Sequence, residues 1–159
     1  MVVDFNNISD DARIWIYQLD KELAQFEVDF LSGRVSDFLD SWAAHGSGLI
    51  ASFTLAENRF LIIAADESGA KASGCSIDSL THFLKDMQVQ MEIGFFNRSH
   101  IIYKSGKLNK STSFIDFRAQ LKSGEIPSET LIYNTVLQQK NQLRDQFLIS
   151  AKDSWLMLN

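Results

Sequence analysis

The spacing of apolar residues changes several times along the chain, and the changes mark out its elements. Residues 13–19 (RIWIYQL) are dense in β-branched and aromatic types and bounded by acids, which predicts a strand apolar on both faces. Leu23, Phe26, Phe30, Leu31, Val35, Phe38, Leu39 and Trp42 then recur at helical spacing and predict a helix over about 24–44, stopped at Gly46. Ser32 and Gly33 lie within that helix, where a glycine costs about 1 kcal/mol relative to alanine, so a bend or a break is expected there. Residues 49–55 and 60–65 read as two strands of an antiparallel hairpin. Ile77, Leu80, Leu84, Met87 and Met91 give the inner face of a second helix with Ser76 as its N-cap, and 95–103 reads as a further strand.

The order strand, helix, strand, strand, helix, strand is that of an α+β, ferredoxin-like (βαββαβ) antiparallel sheet. Right-handed crossovers would put both helices on one face, with the strands at 13–19 and 60–65 side by side in the middle. The rest of the chain is expected to form an α/β extension: a turn at Ser105 and Gly106, a helix over 114–122 between Ser113 and Gly124, a short strand at 131–133 and a helix over 136–147. That last helix has a thin apolar face, Val136, Leu137, Leu143 and Phe147, with Lys140 interrupting it. The expected organisation is one domain over 1–159, with a core at about 12–104 and an extension at about 105–159 that packs on the sheet.

Composition narrows the function classes. The chain has 159 residues, 45% hydrophobic and 22% charged, ordinary for a folded domain, and a net charge of -5. That balance disfavours nucleic acid as a partner, since phosphate contacts call for a basic face. A single cysteine, Cys75, excludes internal disulfides and paired-cysteine zinc patterns and points to a reducing compartment. The first residues, MVVDFNNISDDAR, lack the basic and apolar segments of a secretion signal, and no apolar run is long enough to span a bilayer. The reading is cytoplasmic, without a membrane partner.

The stretch 65–78 (ADESGAKASGCSID) links the second hairpin strand to the second helix and is the expected site. Ser68, Gly69, Ser73, Gly74 and Ser76 would offer unhindered amides ahead of a helix, and Lys71 adds charge, the materials of a pocket for a small anion. A plain flexible connection is the simpler account. Cys75, beside the helix start, is the candidate nucleophile of an enzyme, against the simpler reading of a small residue packed there. Asp66, Asp78 and His82 are the metal-ligand candidates, with Glu67 beside them, although acids at strand ends commonly serve solvation alone. No cofactor is predicted. Arg98, Lys104, Lys107, Lys110, Arg118 and Lys122 face a single acid, Asp116, over 98–122 and could steer an acidic partner or merely guard an edge strand. Trp155, Leu156, Met157 and Leu158 form an apolar tail that either folds back over the sheet or joins a second subunit of a homo-oligomer.

The segments DDARIWIYQ, DESGAKASGCSID and AKDSW resemble a family of short bacterial proteins of unknown function, over most of the chain. Members of that family often bear the label ABC transporter ATPase, so the resemblance implies nucleotide binding. A phosphate-binding loop requires GxxxxGK[ST]. At the nearest match, Lys110 followed by Ser111, Asn109 and Lys104 stand where that pattern needs glycine, and neither Lys104–Ser105 nor Lys122–Ser123 has a glycine at either place. ATP hydrolysis is therefore not expected, and the sequence reading is a small ligand-binding or interaction domain.

Overall fold

The computed structural model describes residues 1–157. Its contacts divide the chain into two compact units, Met1–Asn97 with Gln138–Asn141, and Arg98–Leu137 with the chain from Gln142 onward. The protein is mixed α+β, and every strand pair in its sheets is antiparallel.

In the first unit, strand β1 (Arg13–Gln18) leads through helix α1 (Gln25–Asp40) and a small hairpin, β2 (Ala43–Ala44) and β3 (Ser47–Gly48), into β4 (Ile50–Ala56) and β5 (Phe60–Asp66). Helix α2 (Gly74–Met91) comes next. The sheet order is β1-β5-β4. β5 is central, which is why its apolar residues need no polar alternation: Phe60 through Ala65 are all buried. Leu61, Ile63 and Ala65 share a core with Leu31, Val35 and Leu39 of α1 and Leu80, Leu84 and Met87 of α2. Both helices therefore cover the same sheet face. The outer sides of the sheet are partly closed by backbone, Val2 bridging Ala51 in parallel and Gln139 bridging Arg13.

Several boundaries differ from the sequence reading for identifiable reasons. α1 ends at Asp40 rather than near Ala44, because Trp42 turns inward and its Nε1 donates to the Ser76 carbonyl (2.9 Å). Gly46, with φ +80°, sits in the hairpin turn after His45 (φ +51°) rather than ending the helix. The run 95–103 becomes a strand only from His100. Before it, Asp20 anchors the chain: its Oδ2 accepts from Gly94 N–H (3.0 Å), its Oδ1 from Asn97 Nδ2 (2.9 Å), and its own N–H donates to the Gly94 carbonyl.

The second unit contains β6 (His100–Ser105), β7 (Leu108–Ser113), α3 (Phe114–Ser123), β8 (Leu131–Tyr133), α4 (Leu143–Gln146) and β9 (Leu148–Ser150), with sheet order β7-β6-β8-β9. Ser113 caps α3, its Oγ accepting from Asp116 N–H, and Gly124 ends it at φ +80°. Ile101, Phe117, Ile126, Ile132, Ala151 and Leu156 form its core. The helix expected over 136–147 shrinks to 143–146. Residues 138–141 instead run alongside the first unit, Ile14 N–H donating to the Gln138 carbonyl and Lys140 N–H to that of Ala12. Lys140, which breaks the apolar row, sends its Nζ to the Ile8 carbonyl (2.7 Å) and near Asp10 (3.6 Å).

Candidate functional site

The stretch after β5 satisfies much of its own backbone. Asp66 Oδ1 accepts from Ser68 N–H (2.9 Å), and this bond holds the carboxyl below its ordinary range. Glu67 Oε2 accepts from Ala72 N–H (2.8 Å) and lies 3.9 Å from Arg13 Nη1. The N-cap of α2 is Ser73, not Ser76: Ser73 Oγ accepts from Ser76 N–H (3.1 Å), and Ser73 N–H donates back to Ser76 Oγ (3.0 Å). Ser76 itself is buried and donates to the Ala43 carbonyl (3.0 Å), which ties the helix start to the small hairpin. Ser68, Gly69, Lys71 and Gly74 are exposed, and open space surrounds both glycines. Gly74 and Cys75 are the first two residues of α2, where backbone amides have no acceptor within the helix. Two carboxylates already occupied with loop amides make this a tighter, more acidic turn than its glycines and serines suggest.

Cys75 is exposed at the second position of α2. His82 lies seven residues on, about 10 Å along the helix axis, beyond hydrogen-bond reach of the thiol. Asp78 and His82 are both exposed on that helix. Among the described residues no three His, Cys, Asp or Glu side chains come together as a metal site, and no helix is long and apolar enough to cross a membrane.

The charges divide between the units. The first holds seven basic and fifteen acidic residues, net -8, and the second eight basic and five acidic, net +3. Arg98, Lys104, Lys107, Lys110, Arg118 and Lys122 all belong to the second. Lys110 flanks Tyr103 from edge strand β7, and Lys104 lies over the Tyr133 ring (5.6 Å). Trp155 and Leu156 join this unit's core, while Leu158 lies outside the described residues.

Two clefts on the first unit went unread in the sequence. One, about 450 Å³, is lined by Phe26, Glu27 and Phe30 of α1 and Gln90 and Met91 of α2. Phe26 is 75% exposed and Phe30 45%, so both leave the core in which their spacing placed them. The reason is geometric: Glu27, Leu31, Val35 and Leu39 form the buried row of α1, and residues 26 and 30 are turned about 100° from it. Arg34 connects the two helices, its Nη1 donating to Gln90 Oε1 (2.9 Å). Glu27 is held in place by Ala24 N–H (3.0 Å) and Lys21 Nζ (3.0 Å), which together pull its pKa below the ordinary value. The other cleft, about 540 Å³, lies beside β4, lined among others by Val3, Asp4, Asn6, Ser36, Phe53 and Thr54.

No protein-family model matches the chain, and no curated protein or solved structure matches it.

Proposed function

We propose that the protein is a small cytoplasmic binding domain that acts by recruiting a partner protein, and that the α1–α2 cleft of its first unit is the contact surface. The observation that carries this reading is the pair Phe26 and Phe30, solvent-exposed side by side over a concave surface. Neighbouring exposed apolar side chains of this size characterise interaction sites. The occupant this surface suits is a basic segment presenting a large apolar side chain. Met91 and the two rings would take the apolar group, and the net charge of -8 on the unit would draw the basic residues. The order β1-β5-β4, with α1 and α2 on one face, supports reading this unit as three strands of a ferredoxin-like sheet.

The test is a fluorescence-polarisation array of synthetic peptides, each with a central Leu, Ile, Phe or Trp flanked by lysines or, in a control set, glutamates. The reading expects binding in the basic set, at least tenfold weaker to a Phe26→Ser/Phe30→Ser variant. Equal binding to both proteins, or none in either set, contradicts it.

A second reading keeps a small anion at the start of α2. The Gly74 and Cys75 amides and the exposed Lys71 favour it. Titration of phosphate, sulfate and nucleotides at matched ionic strength distinguishes the readings. Selective stabilisation of the wild type over Gly74→Val supports an anion site, whereas equal shifts in both proteins indicate general salt stabilisation. Magnesium-dependent phosphate release from ATP, abolished by substitutions in 65–78, would instead support the nucleotide reading that the family resemblance implies.

A further inference from the structure

The first unit also leaves a sheet edge open. Ala51 N–H donates to the Met1 carbonyl (3.0 Å) and its carbonyl accepts from Val3 N–H (2.9 Å), so the backbone of Ala51 points away from β5. In an antiparallel strand the N–H and C=O of one residue share a side and alternate residues share a direction. Phe53 and Leu55 therefore present their N–H and C=O outward too. Beyond Val3 the covering segment turns off, Asn7 and Ile8 N–H both donating to the Asp4 carbonyl, and among the described residues no backbone partner replaces it. The 540 Å³ cleft is lined on this strand by Phe53 and Thr54.

Edge strands are ordinarily guarded by a charge, a proline or a short length. β7 carries Lys110 and β9 is three residues long. β4, IASFTLA, is seven residues long with no charged residue and no proline. We propose that the open edge of β4 is a strand-addition site for a basic, extended peptide of a partner protein, which pairs with the outward backbone groups of Phe53 and Leu55. The Met1–Val3 segment already forms the first step of such an added strand, and the peptide continues it. Backbone pairing supplies affinity in this mode, and side chains supply selectivity. Asp4 in the cleft, Asp37 exposed on α1 beside Ser36, and the unit's charge of -8 select basic side chains. The same charge opposes edge-to-edge pairing of two copies, which would bring two acidic units together. This edge involves different residues from the α1–α2 cleft, and either site can fail without the other.

The experiment pans a displayed library of random seven-residue peptides against the intact protein, then measures synthetic versions of the enriched sequences. The proposal expects lysine- or arginine-rich peptides that slow amide exchange at Phe53 and Leu55. It also expects at least tenfold weaker binding when alternate peptide amides are N-methylated, a change that removes strand donors and keeps every charge. Leu55→Pro, which deletes one outward N–H, should lose binding similarly, and the N-methylated peptides keep the test decisive if that variant folds poorly. Enriched peptides indifferent to N-methylation, or no enrichment, overturns the proposal. So does a concentration-dependent dimer abolished by Thr54→Lys, which would give the edge to a second copy.

Discussion

Glu27 shows how one side chain serves both fold and surface. Its carboxylate accepts the Ala24 amide as half of a capping box and meets Lys21, while its stem lines the cleft beside Phe26 and Phe30. Because these partners lower its pKa in the folded state, its contribution is present above the unfolded glutamate value, about 4.3, and is lost as pH falls through the folded value. Thermal melts of wild type and Glu27→Gln should accordingly separate near neutrality and converge in acid. A separation that grows as pH falls would contradict this. Gly94 tests a different constraint. A Cβ there would collide with the Asp20 carboxylate that receives the Gly94 and Asn97 donors. Gly94→Ala should cost roughly 1–3 kcal/mol in denaturant unfolding, the range for disturbed hydrogen bonds to a charged group. A neutral effect would show that Asp20 relocates freely.

Among the elements, those with strong periodicity were legible and those set by distant partners were not. β5 could be read from its unbroken apolar run, α2 from Leu80, Leu84 and Met87, and α3 from Ser113 and Gly124. β7 (LNKSTS) has no apolar pattern of its own and forms because it pairs with β6 along its whole length. The 136–147 helix failed because Lys140 finds the Ile8 carbonyl, an acceptor 132 residues away in sequence. At the expected site Ser76 was read as the cap, but its hydroxyl is drawn to the Ala43 carbonyl, and Ser73 accepts the Ser76 amide instead. The cleft at Phe26 and Phe30 was hidden because an apolar row wider than one helix face was read as entirely buried. Ser73→Ala should destabilise the protein by about 1 kcal/mol, the usual cost of a lost N-cap. Ser73→Asp, which can still accept from Ser76 N–H, should retain most of the stability. Equal losses in both variants would show that the hydroxyl's contact with Ser76 Oγ (2.7 Å) matters more than the cap.

For the whole molecule, the chain leaves the first unit at Asn97 and returns to it at Gln138–Asn141 before finishing in the second. Lys140 secures that return: its Nζ bonds the Ile8 carbonyl, approaches Asp10 and lies 5.4 Å from the Phe5 ring. Lys140→Ala should cost roughly 1–3 kcal/mol, as for a largely buried charged donor, with faster amide exchange at Ile14, whose N–H bonds Gln138. Unchanged exchange at Ile14 would mean that the backbone bonds alone hold the segment. The uneven charge, -8 against +3, supports the proposed assignment of basic partners to the first unit. The most direct test of that assignment is a map of backbone amide shifts in the labelled intact protein, titrated with the tightest basic peptide of the array. Binding at the proposed surface predicts saturable shifts centred on Phe26, Phe30, Gln90 and Met91, absent in Phe26→Ser/Phe30→Ser. Shifts confined to 98–137, or spread evenly over exposed acids without saturation, would contradict it.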